Sequence, residues 1–218
     1  MNEEKNSTVA ATNMDYLILR RTLGILGIAL PIVLVMGNGF VMQESISHFY
    51  YTKMSVVFTG TLIAFGLFLL SYRGYDKKED ELIGDNIITN IAGIMAFFVA
   101  LIPTACAECP AEIPNGHHDL VRNSIHLISA GLFIVIMGYM SFFQFTKSDK
   151  TDSLTKKRNR LFRTCGVVIW LAVLALVLKF AIDFYAFDNF VFWCEAVALL
   201  SFGIAWLVKG KSLTRLGI

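Results

Sequence analysis

Apolar residues gather into six runs of about 20, near 22–42, 54–72, 86–105, 124–145, 162–182 and 189–208. Each run is long enough to cross the roughly 30 Å hydrocarbon core of a bilayer as a helix. The pattern predicts an all-α protein: one domain over 1–218, a polytopic membrane bundle of six transmembrane helices. Residues 1–21 and 209–218 read as polar tails. Residues 147–161, within "TKSDKTDSLTKKRNR", show no apolar periodicity and read as a solvated loop, with charges also suited to anionic lipid headgroups. No repeat relates the first three runs to the last three, as an inverted transporter would require.

Composition agrees with the pattern. Of 218 residues 56% are hydrophobic and 17% charged, with a mean hydropathy of +0.61, beyond the range of soluble domains. Charge sets the orientation. Of 19 lysines and arginines, all but three lie before the first run, in the second and fourth connections with Arg163, or after the last run. Basic residues in short loops resist translocation, so both termini are expected in the cytoplasm and the protein in a cell membrane. The first run is read as a span and not a cleaved leader, because Glu3 and Glu4 open the chain and Arg20 and Arg21 come late. Nucleotide-binding, metalloprotease and serine-hydrolase signatures are absent, and no basic aromatic surface suggests nucleic acid.

On this topology all four histidines fall at or near the outer side. If the second helix begins just before His48, then His48, Thr52, Ser55 and Thr59 share one face. Interhelical hydrogen bonding by such hydroxyls is the plainer reading. At the head of the fourth run Asp119, Arg122, Asn123 and His126 also share a face. His126 lies about one turn deeper, so its ring must find partners inside the bundle, and it is expected within hydrogen-bonding reach, directly or through one water, of His48, Glu195 or Lys179. Lys179, Asp183 and Glu195 could close the outer end of the last hairpin as a salt bridge, since buried charges in spans seek partners.

Cys106 and Cys109 form a C-x-x-C between the third and fourth runs. A disulfide suits an oxidising outer compartment, while zinc held with His117 and His118 is the alternative. Cys165 and Cys194 read as packing residues. Aromatic residues near the run boundaries, Tyr72 and Trp206 among them, read as interfacial anchors.

Several blocks, "SISHFYYT", "VFTGTLIAFGLFLLSYRGY", "NIAGIMAFFVALIPT", "IHLISAGLFIVIMGYMSFF", "KRNRLFRTCG" and "VFWCEAVALLSFGIAWLVKG", resemble a group of bacterial six-span membrane proteins from about Ser45 to Gly210. That resemblance implies the architecture and a bacterial inner membrane, and it assigns no catalytic residue. The outer Ser motif and the His opening the fourth run are similar in layout to the DRAM and Sfk-type proteins, some of them linked to lipid remodelling. The layout also resembles the alkaline ceramidase and adiponectin-receptor group, which implies a zinc site, although no span here carries that group's H-x-x-x-H pair.

Together these readings predict a polar pocket at the outer leaflet built from His48, His126, Lys179 and Glu195, with Ser45 and Ser47 at its mouth and Asn123 and Asp183 as further ligand-binding residues. Membrane lipids are the expected partners, a lipid or its headgroup the expected ligand, and no cofactor is assigned. Were the pocket catalytic, Ser47 would be the nucleophile, with His126 or Glu195 as general base and His48 beside them, giving a lipid hydrolase or an acyl or headgroup transferase. Solute transport and a non-catalytic assembly or sensing role are the competing classes.

Overall fold

A computed structural model of the chain describes residues 2–72, 74, 84–106, 120–148, 152–182 and 187–211, with side chains from Asp15 onward. Among these residues the chain forms six long helices and no strand: α1 (Asn2–Gly37), α2 (Ser55–Ser71), α3 (Asp85–Leu101), α4 (Leu120–Tyr139), α5 (Ser153–Ile182) and α6 (Phe190–Lys209). A 3-10 turn spans Ser47–Tyr51, and a π-helical turn, Met140–Gln144, extends α4. Each helix packs against its sequence neighbours, and α6 returns along α1, closing a ring. The stretches Asp15–Gly37, Leu120–Gln144, Ser153–Ile182 and Phe190–Lys209 are long and apolar enough to cross a membrane. Helices α2 and α3 are apolar but only 17 residues each, roughly 25 Å.

Glycines set how closely the helices approach. A Cβ on Gly203 of α6 would lie 2.7 Å from the Gly24 carbonyl oxygen of α1, and one on Gly66 of α2 would lie 3.0 Å from that of Gly93 on α3. Between α4 and α5, a Cβ on Gly166 would lie 2.9 Å from the Gly138 carbonyl oxygen, and one on Gly138 would strike the Trp170 ring. With no hydrophobic driving force between helices in lipid, such small-residue contacts supply packing that bulkier side chains would prevent.

Three readings of the sequence change here. Trp206 and Tyr72 are not boundary anchors: Trp206 is 0% exposed, with ring centroids 5.2 Å from Tyr72, 4.8 Å from Phe145 and 5.4 Å from Phe68. At the end of the bundle where α6 finishes, these rings fill the centre. Nor is 147–161 a loop throughout, because α5 begins at Ser153. Asp152 caps it, taking the Thr155 N–H at 3.3 Å, and Lys and Arg are good helix formers even without apolar periodicity. The supposed N-terminal tail is likewise helical from Asn2. That helix stops near Gly37-Asn38-Gly39, where Gly39 takes a φ of 74°, the left-handed turn that glycine accepts without strain.

Gly203→Leu should lower the thermal stability of the detergent-solubilised protein by about 1–3 kcal/mol or more, the usual cost of forced overpacking. Gly60→Ala, where a Cβ meets nothing within 4 Å, should leave it unchanged or slightly raised. Equal stability of both variants would refute the close α1–α6 crossing.

Candidate functional site

The site is organised by the segment "ESISHFYY", residues 44–51. Ile46 and Phe49 are three apart, which aligns side chains in a 3-10 turn, and both are buried in the core. Helix α6 pins the segment from below. Phe192 N–H donates to the Glu44 carbonyl at 2.9 Å, and Ile46 N–H donates to Glu195 Oε2 at 2.6 Å. A carboxylate buried in an apolar bundle requires such a donor, so Glu195 holds the turn while the turn satisfies Glu195. The flanking Ser45, Ser47 and His48 are thereby fixed in place.

Helix α4 brings the second part. Its inward stripe, Asn123, His126, Ala130, Phe133 and Met137, follows helical spacing, so His126 belongs to the core-facing row and is 1% exposed. One ring nitrogen, Nδ1, lies 2.6 Å from the Ile102 carbonyl oxygen, and the other, Nε2, lies 2.9 Å from Ser47 Oγ. A carbonyl oxygen only accepts. The ring proton therefore sits on Nδ1, a neutral Nε2 presents its lone pair, and the Ser47 hydroxyl donates to it. This is the arrangement of a serine activated by a histidine that a third group orients, with a backbone carbonyl as the orienting group.

Around this pair the chain past α3 is clamped. Asn123 Oδ1 accepts the Ala105 N–H at 2.9 Å and the Thr104 hydroxyl at 3.1 Å, and among the described residues the Asn123 amide NH2 bonds nothing. Tyr51 donates its hydroxyl to the Thr104 carbonyl at 2.5 Å. Burial, then Tyr50, pushes the Tyr51 hydroxyl above its usual range, with Arg122 opposing, so Tyr51 remains a donor. Ser45 Oγ accepts the His48 N–H at 3.2 Å and lies 2.8 Å from His48 Nδ1. In the tautomer where the Ser45 hydroxyl donates to Nδ1, the His48 ring proton sits on Nε2.

These groups face one cavity of about 660 Å³, within the range of small-molecule sites. Ser45, Ser47, His48, Asn123, His126 and Glu195 form its polar end. Its walls are apolar, from Leu127 and Ile134 of α4 and Val173, Val177 and Phe180 of α5. Val177 is 55% exposed and Phe180 66%, so the flank between α4 and α5 opens sideways. The two helices are in close contact at Gly138 and Gly166, nearer the other end of the bundle.

Six of the eight expected site residues thus meet at one cavity. Lys179 lies on α5 but does not line it, and Asp183 falls outside the described residues. Glu195 bonds the Ile46 backbone and forms no ion pair with Lys179, so the Glu195 arm of the expected salt bridge is not made, while the Asp183 arm lies outside the described residues. His126 bonds neither His48, Glu195 nor Lys179 directly, since Ser47 and Ile102 occupy both ring nitrogens. The expected stripe from His48 to Thr59 also fails. The 3-10 turn ends at Tyr51 and α2 starts at Ser55, so Thr52 instead bonds the Phe49 carbonyl at 2.9 Å, and Ser55 and Thr59 line a separate groove.

Cys106 is buried and disulfide-bonded, Cys165 and Cys194 are free, and Cys109, His117, His118 and Asp119 fall outside the described residues. Among the described residues no three His, Cys, Asp or Glu side chains converge as a metal site requires. Compared with known proteins, the chain matches no family model, no curated protein and no solved structure.

Proposed function

We propose that the chain crosses a cell membrane six times with both termini in the cytoplasm, and that the cavity near the outer leaflet takes up a membrane lipid and cleaves or transfers its acyl group. One observation carries the catalytic part: Ser47 donates to His126 Nε2 at 2.9 Å while the Ile102 carbonyl holds Nδ1–H. The apolar walls and lateral flank support a lipid over a soluble substrate, because an acyl chain can enter from the bilayer while its ester reaches the polar end.

In the proposed reaction Ser47 Oγ attacks the ester carbonyl carbon and its proton passes to His126 Nε2. The Asn123 amide NH2 and, in the tautomer protonated there, His48 Nε2, both on the cavity lining, are the donors for the developing oxyanion in this reaction. Collapse breaks the ester C–O bond, and the alcohol leaves with the proton from His126. Water or a second hydroxyl then takes the acyl group from Ser47 by the same steps reversed. Glu195 contributes by positioning the turn through Ile46 N–H. Transport is less well supported, because Phe65, Met137, Ile169 and Phe202 are all completely buried and fill the bundle beneath the cavity.

The orientation is supported by the grouping of Arg20, Arg21, Lys147, Arg158 and Lys209 at the end opposite Ser47. An impermeant thiol reagent applied to intact cells should label a cysteine placed at exposed Lys53 and spare one at exposed Ser153. The reverse pattern overturns the sidedness.

For the activity, lipid pools are compared in cells lacking the protein and in cells complemented with wild type, Ser47→Ala or His126→Gln. Both variants should match the deletion while accumulating as folded protein, with turnover reduced about a thousandfold or more. Wild-type lipid pools in cells carrying Ser47→Ala would exclude acyl transfer through this serine.

A further inference from the structure

At the opposite end of the bundle, a second cavity of about 300 Å³ lies among α1, the end of α4, the first turns of α5 and the end of α6. Among the described residues Arg20, Lys147, Arg158, Lys209 and Lys211 line it, and no acidic side chain does. Asp85 forms an ion pair with Lys147 at 2.6 Å. The Arg20 and Arg158 guanidinium groups border the same small space, where like charges repel in surroundings that screen poorly.

The local architecture holds them there. The π turn at the end of α4, closed by Phe145 N–H to the Met140 carbonyl at 2.9 Å, inserts an extra residue and redirects the chain into the cavity wall. Asn159 ties this wall to α5 through the Thr146 carbonyl at 3.2 Å. Phe145 and Phe162, 5.6 Å apart, form part of the lining. Arg20 is held flat against Tyr16 and Tyr72, its guanidinium carbon 4.5 and 5.5 Å from their ring centres. Even so, the Nε atoms of Arg20 and Arg158 are buried and bonded to no acceptor. Buried donors without acceptors are costly, and guanidinium groups match the oxygens of a tetrahedral anion.

We propose that this cavity binds a phosphate group, with Arg20 and Arg158 donating to its oxygens. The same chemistry is offered by the headgroup of an anionic phospholipid in the adjoining leaflet and by a soluble phosphate. The site is independent of Ser47 and lies at the other end of the molecule from it.

Native mass spectrometry of the full-length protein in neutral detergent, titrated separately with phosphatidic acid and inorganic phosphate, tests the proposal. Wild type should retain at least one probe. Arg158→Gln should weaken retention about tenfold, as expected for loss of a charge-assisted contact, and Lys211→Gln, at an exposed position, should weaken it less. Retention of phosphatidic acid alone assigns the site to a lipid headgroup, whereas retention of inorganic phosphate as well supports a soluble ligand. Arg158→Lys keeps the charge but removes the Nε–H, and should still bind more weakly than wild type. If Arg158→Gln does not fold, Arg158→Lys and Lys211→Gln are read in its place. Retention of neither probe by wild type, or unaltered retention in the variants, overturns the site.

Discussion

A histidine buried in an apolar bundle needs a partner on each ring nitrogen, and the Ile102 carbonyl on Nδ1 of His126 governs the rest of the site. Because that oxygen can only accept, it fixes the tautomer and turns Nε2 toward Ser47 as an acceptor. Ile102 is free to serve because α3 ends at Leu101 and the chain beyond it is clamped by Asn123 and Tyr51. Ser47 is in reach because Glu195 grips the Ile46 backbone from α6. Four separate elements therefore converge on one serine–histidine contact, each satisfying a polar group that would otherwise be buried alone.

The cavity has a packing cause as well. Glycines bring α4 and α5 into contact at Gly138 and Gly166. Toward Ser47 the two helices instead flank a space with apolar walls and a polar end. In the proposed function an amphiphile lies here with its chain along α4 and α5 and its polar part at Ser47 and His126. At the other end, Trp206 and the rings around it close the centre, separating this cavity from the basic one.

Much of this arrangement is legible in the sequence. Apolar runs locate all six helices but not the polar first turns of α1 and α5, which begin at Asn2 and Ser153 well before their runs, and helical spacing puts Asn123 and His126 on one face. Sidedness draws His48, Glu195 and the two serines to the same end, and the structure brings them to one cavity. The partners are less accessible. Ile102 and Ile46 act through the backbone, which leaves no trace in side-chain identity. Ionisable partners are the natural expectation for His126, yet a hydroxyl and a carbonyl satisfy a neutral imidazole more cheaply than a second ionisable side chain. The break at Thr52–Met54 is hidden because a 3-10 turn and an α-helix share their i, i+3 spacing over so short a stretch. Trp206 misleads because an aromatic near a run boundary signals equally an interface or a core.

That His126 activates Ser47 at the polar end of a lipid-accessible cavity is the central claim. Its most direct test is covalent labelling of the membrane-embedded protein with an alkyl fluorophosphonate, in which Ser47 Oγ displaces fluoride from phosphorus, followed by peptide mass mapping. The predicted result is modification at Ser47 that persists in Ser45→Ala and is lost in His126→Gln. An unmodified Ser47 in wild type, or equal labelling with and without His126, would contradict it.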